Sequence, residues 1–273
     1  MKYRYLSDCH VHTACSSDAS DSAVMMCESA ARHGLFALTI TDHCECQDYK
    51  KAGYDRLIRQ SYFEARRAAD VFRNRLKVYA GIDLWQPLQG PKAAEDILAA
   101  CDFDFVLASL HNLKGKKDFY ELDYSHMKKD TVYSLLREYY QQVEEMVEWG
   151  NFDSLAHLSY PLRYIVGEHH IDIDISPFIP QIDRILKKLI AGNKALEVNT
   201  SGLRQKLGKT MPGYPIIKRF REFGGKFVTL GSDAHRWADV AGGVEHGLEL
   251  LERAGFSHFT VFVEREPHQM PIR

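Results

Sequence analysis

Short runs of apolar residues alternate along this chain with longer stretches in which apolar positions recur every three or four residues. The first kind predicts strands and the second amphipathic helices. Strands are expected over Tyr3–Cys9, Phe36–Thr41, Lys77–Ile82, Phe103–Ser109, Ser154–His157, Ala195–Asn199, Lys226–Leu230 and His258–Val263. Helical stretches are expected near Ser22–His33, Asp55–Arg75, Ala93–Ala100, Thr131–Trp149, Pro177–Ala191, Tyr214–Phe223 and Asp239–Ala254. Gly34, Gly150 and Gly255 stand just past three of these helices, where a left-handed residue commonly closes the last turn. Asp130 stands where an N-cap would precede Thr131.

Strict alternation of strand and helix favours a parallel sheet, and this number of units favours closing it into a barrel. The run from Phe103 to Ala108 suits a strand covered on both faces. A length of 273 residues suits one α/β barrel, and no composition break, repeat or low-complexity stretch divides the chain. Residues 1–273 are therefore expected to form a single domain. The long polar segment from Gly115 to Lys129 reads as either a lid or a solvated excursion.

Composition narrows the setting. With 45% hydrophobic residues the chain can bury a large core without disulfide support. A formal charge of −2 and a pI near 6.7 give no global attraction to nucleic acid or to an anionic membrane. All six cysteines fall within the first 101 residues and lack the spacing of a secreted scaffold. Residues Met1 to Tyr5 form no apolar signal segment, and no run approaches transmembrane length. A cytoplasmic protein with reduced thiols is expected, with neither a membrane nor a nucleic-acid partner.

Candidate chemistry sits at the strand ends. Six of the thirteen histidines and three carboxylates appear there: His10 and His12, Asp18, His43, Asp83, His111, His157, and Asp233 with His235. Imidazole and carboxylate bind borderline and hard divalent ions, and one strand cannot supply a whole coordination sphere. In α/β barrels the reactive groups gather at the carboxyl ends of the strands. Ligands spread over nearly the whole chain, each just after an apolar run, therefore point to a polynuclear metal site. Cys44 and Cys46 flank Glu45 beside His43, but two cysteines without a second pair make a poor metal signature.

These residues carry a family resemblance. Asp8-x-His10-x-His12-Thr13, Thr41-Asp42-His43, Ser109-x-His111, the His157 strand and Gly231-Ser-Asp233-Ala-His235 resemble the ordered motifs of the PHP (polymerase and histidinol phosphatase) family. The resemblance implies a distorted TIM-like (β/α)7 barrel holding three divalent ions, zinc, iron or manganese. By that pattern one ion would take His10, His12, Asp83 and Asp233. A second would share Asp83 and add His111 and His157, and a third would use Asp18, His43 and His235. Asp83 replaces the glutamate usual at the bridging position, and Asp18 stands where histidine is frequent. Asp8 and Asp42 are expected to fix imidazole tautomers from behind the ligands.

Such a cluster suits phosphate ester hydrolysis, among the slowest uncatalysed reactions in biology. Arg163, one turn past His157, and Arg204, after the sixth strand, are candidates to bind the phosphate. The segment Glu197 to Arg204, followed by Tyr214-Pro215, and the last strand through Pro267 resemble the histidinol-phosphatase branch. What that implies is hydrolysis of L-histidinol phosphate to histidinol and phosphate, in histidine biosynthesis. Asp233 would accept a proton from the attacking water, and His235 or Asp42 would assist departure of the alcohol. Trp85 and Tyr160 stand where they could meet a substrate ring. Rival readings are another small phosphomonoester or nucleotide, a metal hydrolase of another class such as an amidohydrolase, and a non-catalytic metal-binding protein.

Overall fold

Parallel strands surround a central axis in the computed structural model, which describes residues 2–273; Met1 lies outside the described residues. The strands are β1 (Ser7–Val11), β2 (Ala37–Ile40), β3 (His43–Glu45), β4 (Lys77–Trp85), β5 (Phe105–Ser109), β6 (Ser154–Leu155), β7 (Ala195–Asn199) and β8 (Val228–Gly231). They follow the order β1-β2-β4-β5-β6-β7-β8, with β3 also paired to β4. Residues Ala37 to Ile40 pair with the first half of β4, and His43 to Glu45 pair with Asp83 to Trp85. β2 and β3 are thus two halves of one interrupted stave. The sheet nearly closes where Val11 bridges Ala234, with the His12 N–H donating to the Ala234 carbonyl at 2.9 Å. The result is a distorted seven-stave (β/α) barrel, the architecture expected from the alternation.

Among the described residues seven α-helices cover it: α1 (Ala23–Arg32), α2 (Tyr54–Phe72), α3 (Pro91–Leu98), α4 (Lys129–Trp149), α5 (Ile179–Ala191), α6 (Tyr214–Glu222) and α7 (Val244–Arg253). α5 shows why. Ile182, Ile185, Leu186 and Leu189 recur at helical spacing and are all buried, each worth roughly 1.5–3 kcal/mol. Gly34, Gly150 and Gly255 adopt left-handed conformations just beyond α1, α4 and α7. Asp130 is not the N-cap of α4. The helix starts at Lys129, two residues before Thr131, Lys128 caps it without a side-chain bond, and Asp130 lies in the first turn beside the positive dipole end.

Two expectations about strands change. β4 runs past Ile82 to Trp85 because β3 supplies a partner for its second half, so Asp83 lies inside a strand, level with His43. The eighth expected strand, β9 (His258–Val263), pairs antiparallel with β10 (Glu266–Pro271) instead of joining the staves. This hairpin packs at the amino-terminal ends of the strands: the Glu264 N–H donates to Asp104 Oδ1, and Arg265 reaches Asp153. Among the described residues, no helix is long and apolar enough to cross a membrane.

Candidate metal centre

The carboxyl ends of the staves open onto a cavity of about 500 Å3. Seven of the nine strand-end residues line it: His10, Asp18, His43, His111, His157, Asp233 and His235. His12 and Asp83 stand behind them, with no exposed surface. Alternation along β1 turns His10 and His12 to the same side, their rings 4.9 Å apart.

The nitrogen and oxygen atoms converge. His12 Nε2 lies 3.3 Å and His10 Nε2 3.7 Å from Asp233 Oδ1. Asp83 Oδ2 takes the His43 Nδ1–H at 3.0 Å and lies 3.9 Å from His10 Nε2. Its other oxygen accepts the Ser109 hydroxyl at 2.7 Å, and the Trp85 indole donates to Oδ2 at 2.5 Å. His43 and His235 face each other through Nε2 at 3.2 Å, and Asp18 lies 3.4 Å from the first and 3.1 Å from the second. His111 and His157 face each other through Nε2 at 3.1 Å.

Such an arrangement is poorly satisfied by protein alone. Both ring nitrogens of His12, and Nδ1 of His111 and His157, are buried without a hydrogen-bond partner, each such orphan costing roughly 1–3 kcal/mol. Facing imidazoles share at most one proton, whereas a cation between them satisfies both lone pairs. Two groups, His12 with His43 and His235, and His10 with His12 and Asp83, hold their ligand atoms within 4.8 Å of one another. The donor set fits divalent ions.

Charge divides the histidines into two kinds. Burial, reinforced by neighbouring imidazoles, pushes the pKa of His12 and His111 well below the ordinary value, and burial lowers that of His157. Burial opposes the charged form of His10 too, but Glu197, Asp233 and Asp83 outweigh it and raise its pKa to about 10. In His43, Asp18 and Asp83 overcome burial and raise the pKa to about 9. Conversely, the imidazoles hold Asp18, Asp83 and Asp233 below the usual carboxylate range despite burial.

The backbone is bent to serve this geometry. His157 and Asp233 have φ of 22° and 54°, conformations that cost a residue with a side chain roughly 1–3 kcal/mol. Each is tied down: the His157 N–H donates to Glu197 Oε2 at 2.8 Å, and the Asp233 N–H to the His10 carbonyl at 2.8 Å.

A family model described as the PHP domain matches residues 8–201, a span that contains seven of the nine residues. The chain belongs to the PHP family. A Lactococcus lactis relative named histidinol-phosphatase is 28% identical over 260 residues, covering 93% of each chain. A Thermotoga maritima relative named "probable histidinol-phosphatase" is 28% identical over 254 residues, 93% of this chain and 94% of that one. The fold matches a Lactococcus lactis histidinol phosphate phosphatase, solved with zinc, L-histidinol and phosphate. Its TM-score is 0.80 at 23% identity, over 96% of this chain and 98% of that one.

In this PHP barrel several sequence expectations move. Arg163 lines the cavity, and among the described residues no carboxylate forms an ion pair with it. Arg204 does not line it. Its guanidinium donates to the Ser232 carbonyl at 2.8 Å and the Gly242 carbonyl at 3.1 Å, so it braces the Asp233 turn from behind. Asp42 is likewise absent from the wall, because its two oxygens take Thr13 N–H and Oγ1–H, Ser16 Oγ–H and Ser61 Oγ–H, all at 2.6–2.7 Å. Four donors leave it no free role at the alcohol, which corrects the proton-transfer assignment. Asp8 caps the Ser232 and Ala241 N–H groups and bonds no imidazole. Cys44 and Cys46 are buried thiols whose pKa values rise through burial, and neither reaches the cavity.

Fixing of imidazoles falls to a residue that pattern reading passed over as part of a family segment. Glu197, inside β7, accepts the His10 Nδ1–H at 2.6 Å, the His157 N–H and an Asn199 amide proton. A glutamate at the centre of the buried strand Ala195–Asn199 is itself the signal, since a charge there needs a buried partner. The 115–129 segment is neither lid nor excursion: Phe119 and Tyr124 are buried, and Asp118 forms part of the cavity wall.

Proposed function

We propose that this chain, acting as one barrel unit over residues 1–273, is a cytoplasmic metal-dependent phosphomonoesterase that hydrolyses L-histidinol phosphate to L-histidinol and phosphate. The observation that carries the reading is the convergence of six imidazoles and three carboxylates on one cavity that also presents the unpaired guanidinium of Arg163. Family membership and the histidinol-phosphatase names of relatives along nearly the whole chain support the substrate.

His10, His12, Asp83 and Asp233 would hold one ion, Asp83 with His111 and His157 a second, and Asp18, His43 and His235 a third. When bound, divalent ions supply positive charge for the phosphoryl oxygens and lower the pKa of coordinated water. Arg163 adds a planar donor pair for the same oxygens. Glu197 keeps the Nδ1 proton on His10, so that Nε2 points inward with its lone pair free. Asp233 would take the proton of the attacking water as the new P–O bond forms, and that proton, passed to His235 Nδ1 3.6 Å from Asp233 Oδ1, would reach the alcohol oxygen as the ester P–O bond breaks.

The test is phosphate release from L-histidinol phosphate against a panel of phosphomonoesters and nucleotides, on protein whose metal content is counted. The proposal expects kcat/KM for histidinol phosphate far above the rest, with close to three ions per chain. Selective hydrolysis of a different ester would replace the substrate, and no esterase activity in metal-filled protein would discard the reading.

A further inference from the structure

One acid on the cavity wall takes no part in the histidine cluster. Asp118 Oδ1 accepts the Tyr120 N–H and the Tyr160 hydroxyl, each at 3.0 Å. Because the Tyr160 proton is committed to Asp118, the Tyr164 hydroxyl 3.1 Å away donates to Tyr160. The second carboxylate oxygen has no donor among the described residues, and no Lys, Arg or His lies within ion-pair distance of it. Arg163 lines the same cavity without pairing to it. The cavity therefore carries an unpaired cation and an unpaired anion at once.

Three phenol rings accompany the acid. Tyr160 and Tyr164 have ring centroids 5.3 Å apart, Tyr120 and Tyr164 6.4 Å, and all three line the cavity. Tyr160 also packs on His111 and His157, at 4.5 and 5.0 Å, so the aromatic wall runs from the histidine floor out to the acid. Burial raises the pKa of Asp118 to about 6, outweighing its hydrogen bonds from Tyr120 and Tyr160 and the more distant Arg163 charge. A carboxylate set among aromatic faces is a receptor for an organic cation.

We propose that Asp118, with Tyr120, Tyr160 and Tyr164, binds the primary ammonium group of a zwitterionic phosphate ester, and that this subsite sets substrate choice. This rests on the phosphomonoesterase reading above. The phosphoryl group lies at the histidines and Arg163, and the ammonium turns to the free Asp118 oxygen. Asp118 is here a specificity-determining residue, in contact with the ammonium group and not with the reacting phosphorus.

Asp118→Asn keeps an acceptor oxygen for Tyr160 and the Tyr120 N–H while removing the charge. Its kcat/KM should be compared with that of the unaltered enzyme on L-histidinol phosphate, its N-acetyl derivative and 4-nitrophenyl phosphate. Calorimetry should give the affinity for L-histidinol. The proposal expects a loss of roughly hundredfold on the amine-bearing ester, mostly in KM, and a matching loss in histidinol affinity. The two amine-free esters should change by less than about threefold, and the unaltered enzyme should disfavour the N-acetyl ester by a similar hundredfold. Equal losses on all three esters, or none on the amine-bearing one, would overturn it. If the enzyme cleaves 4-nitrophenyl phosphate but not histidinol phosphate, the substrate reading fails. The ammonium proposal is then decided by O-phosphoethanolamine against ethyl phosphate, a preference that Asp118→Asn must erase. With no ester cleaved at all, the calorimetric affinity for L-histidinol, weakened by the variant or not, decides it.

Discussion

His10 donates its Nδ1–H to Glu197 Oε1 across 2.6 Å, and the other oxygen of the same carboxylate holds the left-handed backbone of His157. One side chain from β7 thus orients an imidazole on β1 and one after β6. Room for it comes from Gly231, where a Cβ would overlap Glu197 Oε1 and stand 2.5 Å from His10 Cβ. Glu197→Gln should therefore lower metal affinity by roughly 10–100-fold, as loss of a partner behind a ligand typically does. Competition with a chromophoric chelator measures it. Gly231→Ala should cost roughly 1–3 kcal/mol of stability by overpacking. Unchanged affinity in Glu197→Gln would show that His10 orients itself.

Arg163 and Arg204 looked equivalent in sequence, and the structure separates them. Arg163→Ala should reduce kcat/KM by about 10²–10³-fold with metal content intact, since it removes the one guanidinium among the described residues that faces the cavity without an ion-pair partner. Arg204→Ala should lower the melting temperature, because it strips the Ser232 and Gly242 carbonyls of a charged donor beside the Asp233 turn. Steady-state kinetics alongside thermal unfolding tells them apart. A larger catalytic loss in the Arg204 variant at full metal occupancy would reverse the assignment.

The reason for the confusion is general. Strand-end position placed His10, His43, His111, His157 and Asp233 on one face of the barrel, since a parallel barrel puts all its strand ends together. Where each loop residue then points depends on turn geometry that spacing does not encode. Arg204 lies after β7 as expected, yet the 3-10 turn Ser201–Leu203 carries it behind Ser232. Asp42 sits beside a ligand but faces Thr13, Ser16 and Ser61, partners 19 to 29 residues away. The break between β2 and β3 was illegible because Thr41-Asp42 reads as a strand end, and only the length of β4 shows that pairing resumes. Likewise β9 has the composition of a stave, and its partner β10, Glu266 to Pro271, has the polar look of a tail.

That hairpin gives a stability prediction far from the chemistry. At its turn, Arg265 grips the buried carboxylate of Asp153 through Nε and Nη2, both at 3.1 Å, and a third donor reaches Asn151 at 3.3 Å. Asp153 is only 5% exposed, and Asp153 Oδ2 also accepts the Val106 N–H. Arg265→Ala leaves that charge buried without its counter-ion and should cost roughly 3–5 kcal/mol. Urea unfolding measures it. The folded fraction should keep its kcat and its metal content; a fall in kcat per folded molecule would mean that the amino-terminal end of the barrel communicates with the site.

The two kinds of histidine set a pH dependence for metal binding. Without ions, His10 and His43 carry protons with pKa values of about 10 and about 9, above the ordinary histidine value of 6.5. A raised folded-state pKa contributes stability that is fully present below pH 6.5 and is lost as pH rises through 9 to 10. Chelator-treated protein should therefore melt at progressively lower temperature between pH 7 and 10. The acids act elsewhere: Asp18, Asp83 and Asp233 are held below the usual range, so their contribution is lost only in acid. Binding a divalent ion requires both imidazoles to surrender a proton, whereas His12, His111 and His157 are already neutral near pH 7. Metal affinity should accordingly rise with pH, and the gap in melting temperature between reloaded and chelator-treated protein should widen from pH 6.5 to 9. At pH 7.5 in weak buffer, adding zinc should release about two protons per chain from these imidazoles. A melting gap that stays constant across that range would show that neither His10 nor His43 carries a second proton in the ion-free protein.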